Sequence, residues 1–237
     1  MTIREFLWTS EEVAKLTGGR SLKQWGATGV SIDSRTIESG DLFISISGPN
    51  FDGHNFVESA FKRGAVASIV SHSMEGVSES ALMLKVPDTV KAFNELGCGA
   101  RNRSMAKIIA VTGSVGKTGV KEALARLLSN QGRVSYSLGS YNNHFGVPLS
   151  LARLDKNANY GIFELGMNHS GELTRLSKMV RPNVAIITTV DLAHAEFFSS
   201  IDEIAQAKAE IFKGLQQGGT AILNRDNQQF ELLRDAA

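Results

Sequence analysis

The sequence predicts an α/β fold in two parts, a small mixed domain followed by a domain built on a mostly parallel sheet. Three observations predict it. Beyond residue 104, apolar strand-like runs alternate strictly with helical patterns, which implies βαβ units with right-handed crossovers. Before residue 104, short strand-like and helix-like runs are mixed without that alternation. Near the start of the second part, the glycine loop Gly113-Ser114-Val115-Gly116-Lys117-Thr118 joins an apolar run to a helical pattern.

The first part, residues 1–103, opens on Thr9-Ser10-Glu11-Glu12, a capping-box pattern ahead of Val13, Ala14 and Leu16. Strands are expected at 29–32, 42–46, 68–70 and 82–86, and helices at 56–63 and 89–100. In the second part, residues 104–237, strands are expected at 107–111, 161–164, 184–190 and 220–223, with a weaker one at 134–137. Helical patterns cover 120–130, 171–180 and 201–215, and another begins at 231. A parallel sheet ending there is bare on one side unless something covers it. The chain therefore reads as incomplete relative to the architecture it begins.

Composition excludes several function classes. Hydrophobic residues make up 42% and charged residues 21% of the 237, ordinary for a soluble globular protein. A formal net charge of +1 offers no overall field for nucleic acid or an anionic membrane. The single cysteine, Cys98, has no partner for a disulfide, which fits a reducing compartment. No signal-peptide pattern and no run long enough for stable membrane insertion is present, so a cytoplasmic protein is expected.

The loop carries the clearest chemistry. Strand, glycine turn and helix start leave backbone N–H groups aimed at one point, where the helix dipole adds positive potential suited to a polyphosphate. Lys117 would reach the terminal phosphates, and the Thr118 hydroxyl would help hold Mg²⁺. The usual loop has a glycine where this chain has Val111, so the pattern is a shortened Gly113-x-x-Gly116-Lys117-Thr118.

Other candidates follow the strands, at the edge where ligands gather in parallel sheets. Glu164 ends an apolar strand and is read as a metal ligand, with a capping glutamate as the alternative. His194, beyond the next strand, is placed to bind metal or phosphate, although loop histidines are usually only hydrogen-bonded. Lys208 falls on the apolar stripe of Ile204, Ile211 and Phe212. Either it snorkels outward, or burial lowers its pKa and its neutral amine can add CO₂ to form a carbamate. Asn142 and Asn143 can orient a polar ligand or simply build a turn. Asn224 and Asp226, after the last strand, fit a base or ribose equally as well as a turn. In the first part, Arg35 is a candidate for a diphosphate. Its neighbours Ser31, Asp33, Ser34, Gly48, Asp52 and His54 read on their own as turn residues.

Taken together, these stretches resemble the ATP-dependent Mur ligases of peptidoglycan synthesis, in particular the MurF type, from about Ser31 to Asp226. Asp33-Ser34-Arg35, Gly40-Asp41-Leu42-Phe43 and Asp52-Gly53-His54-Asn55-Phe56 are similar to that family's uridine-nucleotide domain. Residues 112–118 match its ATP loop, and Asn142-Asn143-x-x-Gly146-Val147-Pro148 its MurF-type segment. Glu164-x-Gly166-x-Asn168 resembles its magnesium strand. Ala193-His194-x-Glu196 and Ala207-Lys208-Ala209-Glu210 resemble its histidine and carbamylated-lysine motifs, and Asn224-x-Asp226 its adenine side. Val115 and Gly119 depart from the family's common residues without removing the backbone cradle.

The resemblance implies an N-terminal UDP-substrate-binding domain at 1–103 and an incomplete central ATP-binding P-loop domain at 104–237, with the C-terminal ligase domain absent. Ser31, Asp33, Ser34, Arg35, Gly48, Asp52, His54, Asn142 and Asn143 would bind the UDP substrate. Gly113, Ser114, Val115, Gly116, Lys117, Thr118, Asn224 and Asp226 would bind ATP. Thr118, Glu164, His194 and carbamylated Lys208 would hold Mg²⁺, and Lys117, Glu164, His194 and Lys208 would form the catalytic set. The implied reaction joins D-alanyl-D-alanine to UDP-N-acetylmuramoyl-tripeptide, a step serving cell-wall biogenesis, cell shape and division, in a monomer. A MurE-like ligase and a non-catalytic nucleotide-binding fragment are the alternatives.

Overall fold

A computed structural model of the chain describes residues 5–48, 51–72, 81–192 and 197–237. It divides into two compact units, residues 1–99 and 100–237, and the division falls within the helix Thr89–Arg103.

The first unit starts with the expected capping box. Thr9 Oγ1 accepts from Glu12 N–H, and Glu12 Oε2 accepts from Thr9 N–H, fixing the start of the helix Ser10–Thr17. The main sheet has five strands in the order Arg20–Ser21, Met83–Lys85, Ala67–Val70, Asp41–Ile44, Gly29–Ser31. All neighbours are parallel except the first pair. The strands Asp41–Ile44 and Ala67–Val70 are buried at every position, as interior strands of a covered sheet must be. Phe43 and Val70 pack against Val57 and Ala60 of the helix Val57–Lys62.

The second unit is a parallel sheet of five strands. Their order is Val134–Tyr136, Tyr160–Glu164, Lys107–Thr112, Val184–Ile187, Thr220–Leu223. From Lys107–Thr112 the chain runs to the Val134–Tyr136 edge, whereas from Tyr160–Glu164 it runs the other way, to Val184–Ile187. These adjacent strands therefore flank a topological switch point, where a crevice opens at the carboxyl ends. The far edge strand, Thr220–Leu223, leaves Ile222 47% exposed.

Two local expectations are corrected, and two further features had no sequence signal. The strand foreseen at 184–190 ends at Ile187, because Thr188 turns over the glycine loop and its hydroxyl donates to Val115 O at 2.6 Å. The helix foreseen at 201–215 is α-helical only over Ile201–Ala209 and tightens to 3₁₀ over Glu210–Gly214. There, Glu210 reaches the start of the neighbouring helix and Ile211 O accepts from the Ser177 hydroxyl. The helix Gly146–Ala152 had no sequence signal, since all seven residues are buried and no polar face marks it. On the helix Lys117–Leu128, Ala125 and Lys121 are buried, while Ala123 and Leu127 are exposed.

Candidate functional site: a phosphate loop at the switch point

The loop follows directly from the strand Lys107–Thr112. Gly113 adopts φ 150° and Gly116 φ 83°, and a Cβ on Gly113 would strike the Thr188 hydroxyl. Residues 188–191 brace the turn from the next strand. Ser114 N–H donates to Thr189 O at 2.7 Å, and the Ser114 hydroxyl bridges Asp191 O and N–H at 2.9 Å each. The braces Thr188 and Asp191 carried no sequence signal. Lys117 Nζ folds back on the loop, donating to Gly113 O at 2.6 Å and Ser114 O at 3.2 Å. Burial holds its pKa below the usual lysine value, opposed by the Glu164 charge. Among the described residues the Thr112 hydroxyl, buried at the loop entrance, has no hydrogen-bond partner.

Glu164 is 1% exposed. Its Oε2 accepts from the Thr118 hydroxyl at 2.8 Å and its Oε1 from Asn142 Nδ2 at 2.7 Å. Gly166 brings the Asn142 loop this close: its N–H donates to Asn142 O at 2.8 Å, and a Cβ there would collide with the Asn142 amide. A carboxylate and a hydroxyl meeting at one edge are hard oxygen donors, the set Mg²⁺ takes when water and phosphate complete its shell. The residues present therefore fit that ion.

Lys208 lies inside, 2% exposed. Burial first, and the charge of Lys117 second, lower its pKa to about 8. That amine is suited to carbamate formation, which would replace a buried cation with an oxygen-donor anion. His194 and Glu196 lie outside the described residues.

The remaining candidates are placed as follows. Asn143 Oδ1 caps the Gly146–Ala152 helix, accepting from Phe145 N–H at 3.1 Å and Gly146 N–H at 2.9 Å. Asn142, Asn143, His144, Asn168, Glu172 and Arg175 border a cavity of about 380 Å³ beside Gly166. Asn224 and Asp226 form a turn at the carboxyl end of the last strand, with Asp226 N–H donating to Asn224 Oδ1 at 3.0 Å.

In the first unit, Arg35 pairs with Asp33 at 2.7 Å on the surface, and that side-chain hydrogen bond lowers the Asp33 pKa. Ser31 Oγ accepts from Asp33 N–H at 3.2 Å, and Ser34 opens a 3₁₀ turn. Asp52 bonds His54 Nδ1 at 2.6 Å, and His54 Nε2 accepts from Ser71 N–H at 2.9 Å. The Nδ1 tautomer follows, with the proton toward Asp52. The His54 backbone N–H, above all, holds the Asp52 carboxyl down at about 2. Gly48 sits in a short antiparallel pair with Phe51.

Fold and site together define a phosphate-loop protein of the parallel α/β class, with an acidic side chain opposite the loop threonine. Residues 111–237 match the Mur ligase middle domain, and residues 27–110 match the Mur ligase family catalytic domain. The chain belongs to the Mur ligase family. It is 39% identical over 221 residues to the UDP-N-acetylmuramoyl-tripeptide–D-alanyl-D-alanine ligase of Rickettsia prowazekii, an alignment covering 93% of this chain and 49% of that protein. Its fold matches MurF of Acinetobacter baumannii with a TM-score of 0.83 at 35% identity, covering 97% of this chain and 51% of that one. MurF ligase of Thermotoga maritima, solved in complex with ADP, matches with a TM-score of 0.71 at 30% identity, covering 87% of this chain and 47% of that one. The chain thus spans about half the length of the curated relatives it matches.

Proposed function

We propose that this chain is the substrate-nucleotide and ATP-binding part of a cytoplasmic ligase that joins D-alanyl-D-alanine to UDP-N-acetylmuramoyl-tripeptide. The observation that carries the reading is the Lys117–Thr118–Glu164 arrangement at the switch point, in a chain whose relatives bear that ligase's name. In the reaction, the tripeptide carboxylate oxygen attacks the γ-phosphorus of ATP and ADP leaves, giving an acyl phosphate. The D-alanyl-D-alanine amine attacks the acyl carbon, loses a proton and expels inorganic phosphate.

Such chemistry needs positioning and charge neutralisation more than a protein nucleophile. The loop N–H groups and Lys117 hold and neutralise the transferring phosphate, Lys117 leaving its carbonyl contacts to do so. Thr118 and Glu164 hold Mg²⁺, and His194 with carbamylated Lys208 serve a second ion. Bound Mg²⁺ supplies charge stabilisation to the phosphate oxygens. Asn224 and Asp226 take the adenosine side, and Ser31, Asp33, Ser34, Arg35, Gly48, Asp52 and His54 the UDP side. Asn142 and Asn143, which border the cavity beside Gly166, take the peptide end of that substrate.

The test is phosphate release by the full-length protein with each substrate withheld in turn. Release that needs ATP, the UDP-tripeptide and D-alanyl-D-alanine together is expected. Release that ignores the UDP-sugar, or that requires a diamino acid in place of the dipeptide, overturns the assignment.

A further inference from the structure

One buried cation has no part in the phosphate chemistry. Lys121 lies one turn beyond Lys117 on the helix Lys117–Leu128, and its side chain is fully buried. Its Nζ donates to Gly139 O at 2.6 Å, lies 3.8 Å from the Glu122 carboxylate and stands 6.0 Å from the Tyr136 ring centre. A buried ammonium is unfavourable unless it is paired and hydrogen-bonded. Methionine would fill similar space without that penalty. What lysine adds is the bond to Gly139.

The segment it holds, residues 137–142, leads to the metal-facing carboxylate. At its start, Ser137 N–H donates to Ile162 O at 3.0 Å, and Ser137 Oγ accepts from Glu164 N–H at 3.3 Å. At its end, Asn142 O accepts from Gly166 N–H at 2.8 Å and Asn142 Nδ2 donates to Glu164 Oε1 at 2.7 Å. The other Glu164 oxygen accepts from Thr118 at 2.8 Å, on the same helix as Lys121. The contacts close a ring: helix, Thr118, Glu164, Asn142, loop, Gly139, Lys121, helix. Without Lys121, the middle of the loop loses its tie to that helix.

We infer that Lys121 is a positioning residue for Glu164: by holding Gly139 it sets the reach of Asn142 and so the orientation of the carboxylate facing Thr118. The inference rests on the reading of Thr118 and Glu164 as the Mg²⁺–ATP site. Lys121→Met, Asn142→Ala and the double variant test it on the 237-residue chain. One readout is amide hydrogen exchange without ligand, and the other is the Mg²⁺ concentration that half-maximally strengthens ATP binding in calorimetry.

Lys121→Met is expected to speed exchange at 138–142 about tenfold while the amides of 123–128 hold their rates. It should also raise the half-saturating Mg²⁺ about fivefold, yet by about twofold or less in the Asn142→Ala background, because both act through one chain of contacts. Equal effects in both backgrounds, or unchanged exchange at 138–142, overturn the inference. If Lys121→Met fails to fold, Lys121→Arg carries the same comparison: its longer donor must shift Gly139, so a wild-type exchange pattern and Mg²⁺ response overturn the inference. Should the wild-type chain bind ATP with no response to Mg²⁺, the metal reading fails, and loop exchange alone still decides the role of Lys121.

Discussion

The polar contacts singled out in the two units differ in how far along the chain they reach. In the first unit the side-chain pairs are close in sequence, Arg35 with Asp33 and His54 with Asp52, each two residues apart, with Ser71 N–H reaching His54 from 17 residues away. In the second, Lys117, Asn143 and Asp226 also keep local partners, but the contacts around Glu164 and Ser114 join distant segments: Thr118 and Glu164 are 46 residues apart, Asn142 and Glu164 22, Ser114 and Asp191 77. Turn chemistry alone accounts for the local pairs. It does not account for the buried Glu164 and Lys208 and the half-buried Lys117, brought to one sheet edge by separate strands and helices, an arrangement that carries a folding penalty without ligand chemistry. Convergence from afar therefore argues for function more strongly than a cluster in sequence does.

The comparison breaks first at Lys117. Lys117→Ala should weaken ATP binding about a hundredfold or more, the scale of lost charge-assisted hydrogen bonds, as read by calorimetry. If affinity survives, the loop is only a turn. Glu164→Gln keeps the shape and removes the charge, so it should lower Mg²⁺-dependent affinity about tenfold and leave metal-free binding unchanged.

Lys208 sharpens the buried side of the contrast. With its pKa near 8, about a tenth of the side chain is neutral at pH 7, against roughly 0.03% of an ordinary lysine. At constant dissolved CO₂, a ¹³C carbamate resonance should therefore grow from pH 7 to 9 and vanish in Lys208→Arg. A signal that persists in the variant assigns the carbamate elsewhere.

The first unit yields smaller effects. Asp52 has a folded pKa of about 2 against an ordinary 3.8, so the unfolded chain binds more protons between those values. Its stabilising contribution is complete above pH 4 and is lost as pH falls through 2. Asp52→Asn should flatten the acid side of the stability profile across that window, measured by denaturant unfolding at fixed pH. Arg35→Ala, with its side chain 83% exposed, should leave the unfolding midpoint and ATP affinity unchanged while weakening UDP-precursor binding.

Much of this was legible because it is written in local or periodic signals. The capping box at Thr9, the apolar strands, the loop glycines and the odd place of Lys208 on an apolar stripe all declare themselves in short windows. Lys121 did not, because a lysine on an amphipathic helix ordinarily reaches solvent, and only a loop folded over it buries it. Thr188 and Asp191 were hidden for a related reason, since they act as braces only once their strand lies beside the glycine loop. The helix Gly146–Ala152 lacked a polar face to mark it. The roles given to residues 31–56 rest on resemblance, since their own chemistry is that of turns.

The central claim is that the second unit holds a Mg²⁺-assisted nucleotide site on Lys117, Thr118 and Glu164. Calorimetric titration of the 237-residue chain with ATP, with and without Mg²⁺, tests it most directly. The account predicts one saturable site that Mg²⁺ strengthens in the wild type, that Mg²⁺ leaves unchanged in Glu164→Gln, and that disappears in Lys117→Ala. Binding of equal strength in all three proteins, indifferent to Mg²⁺, would contradict it.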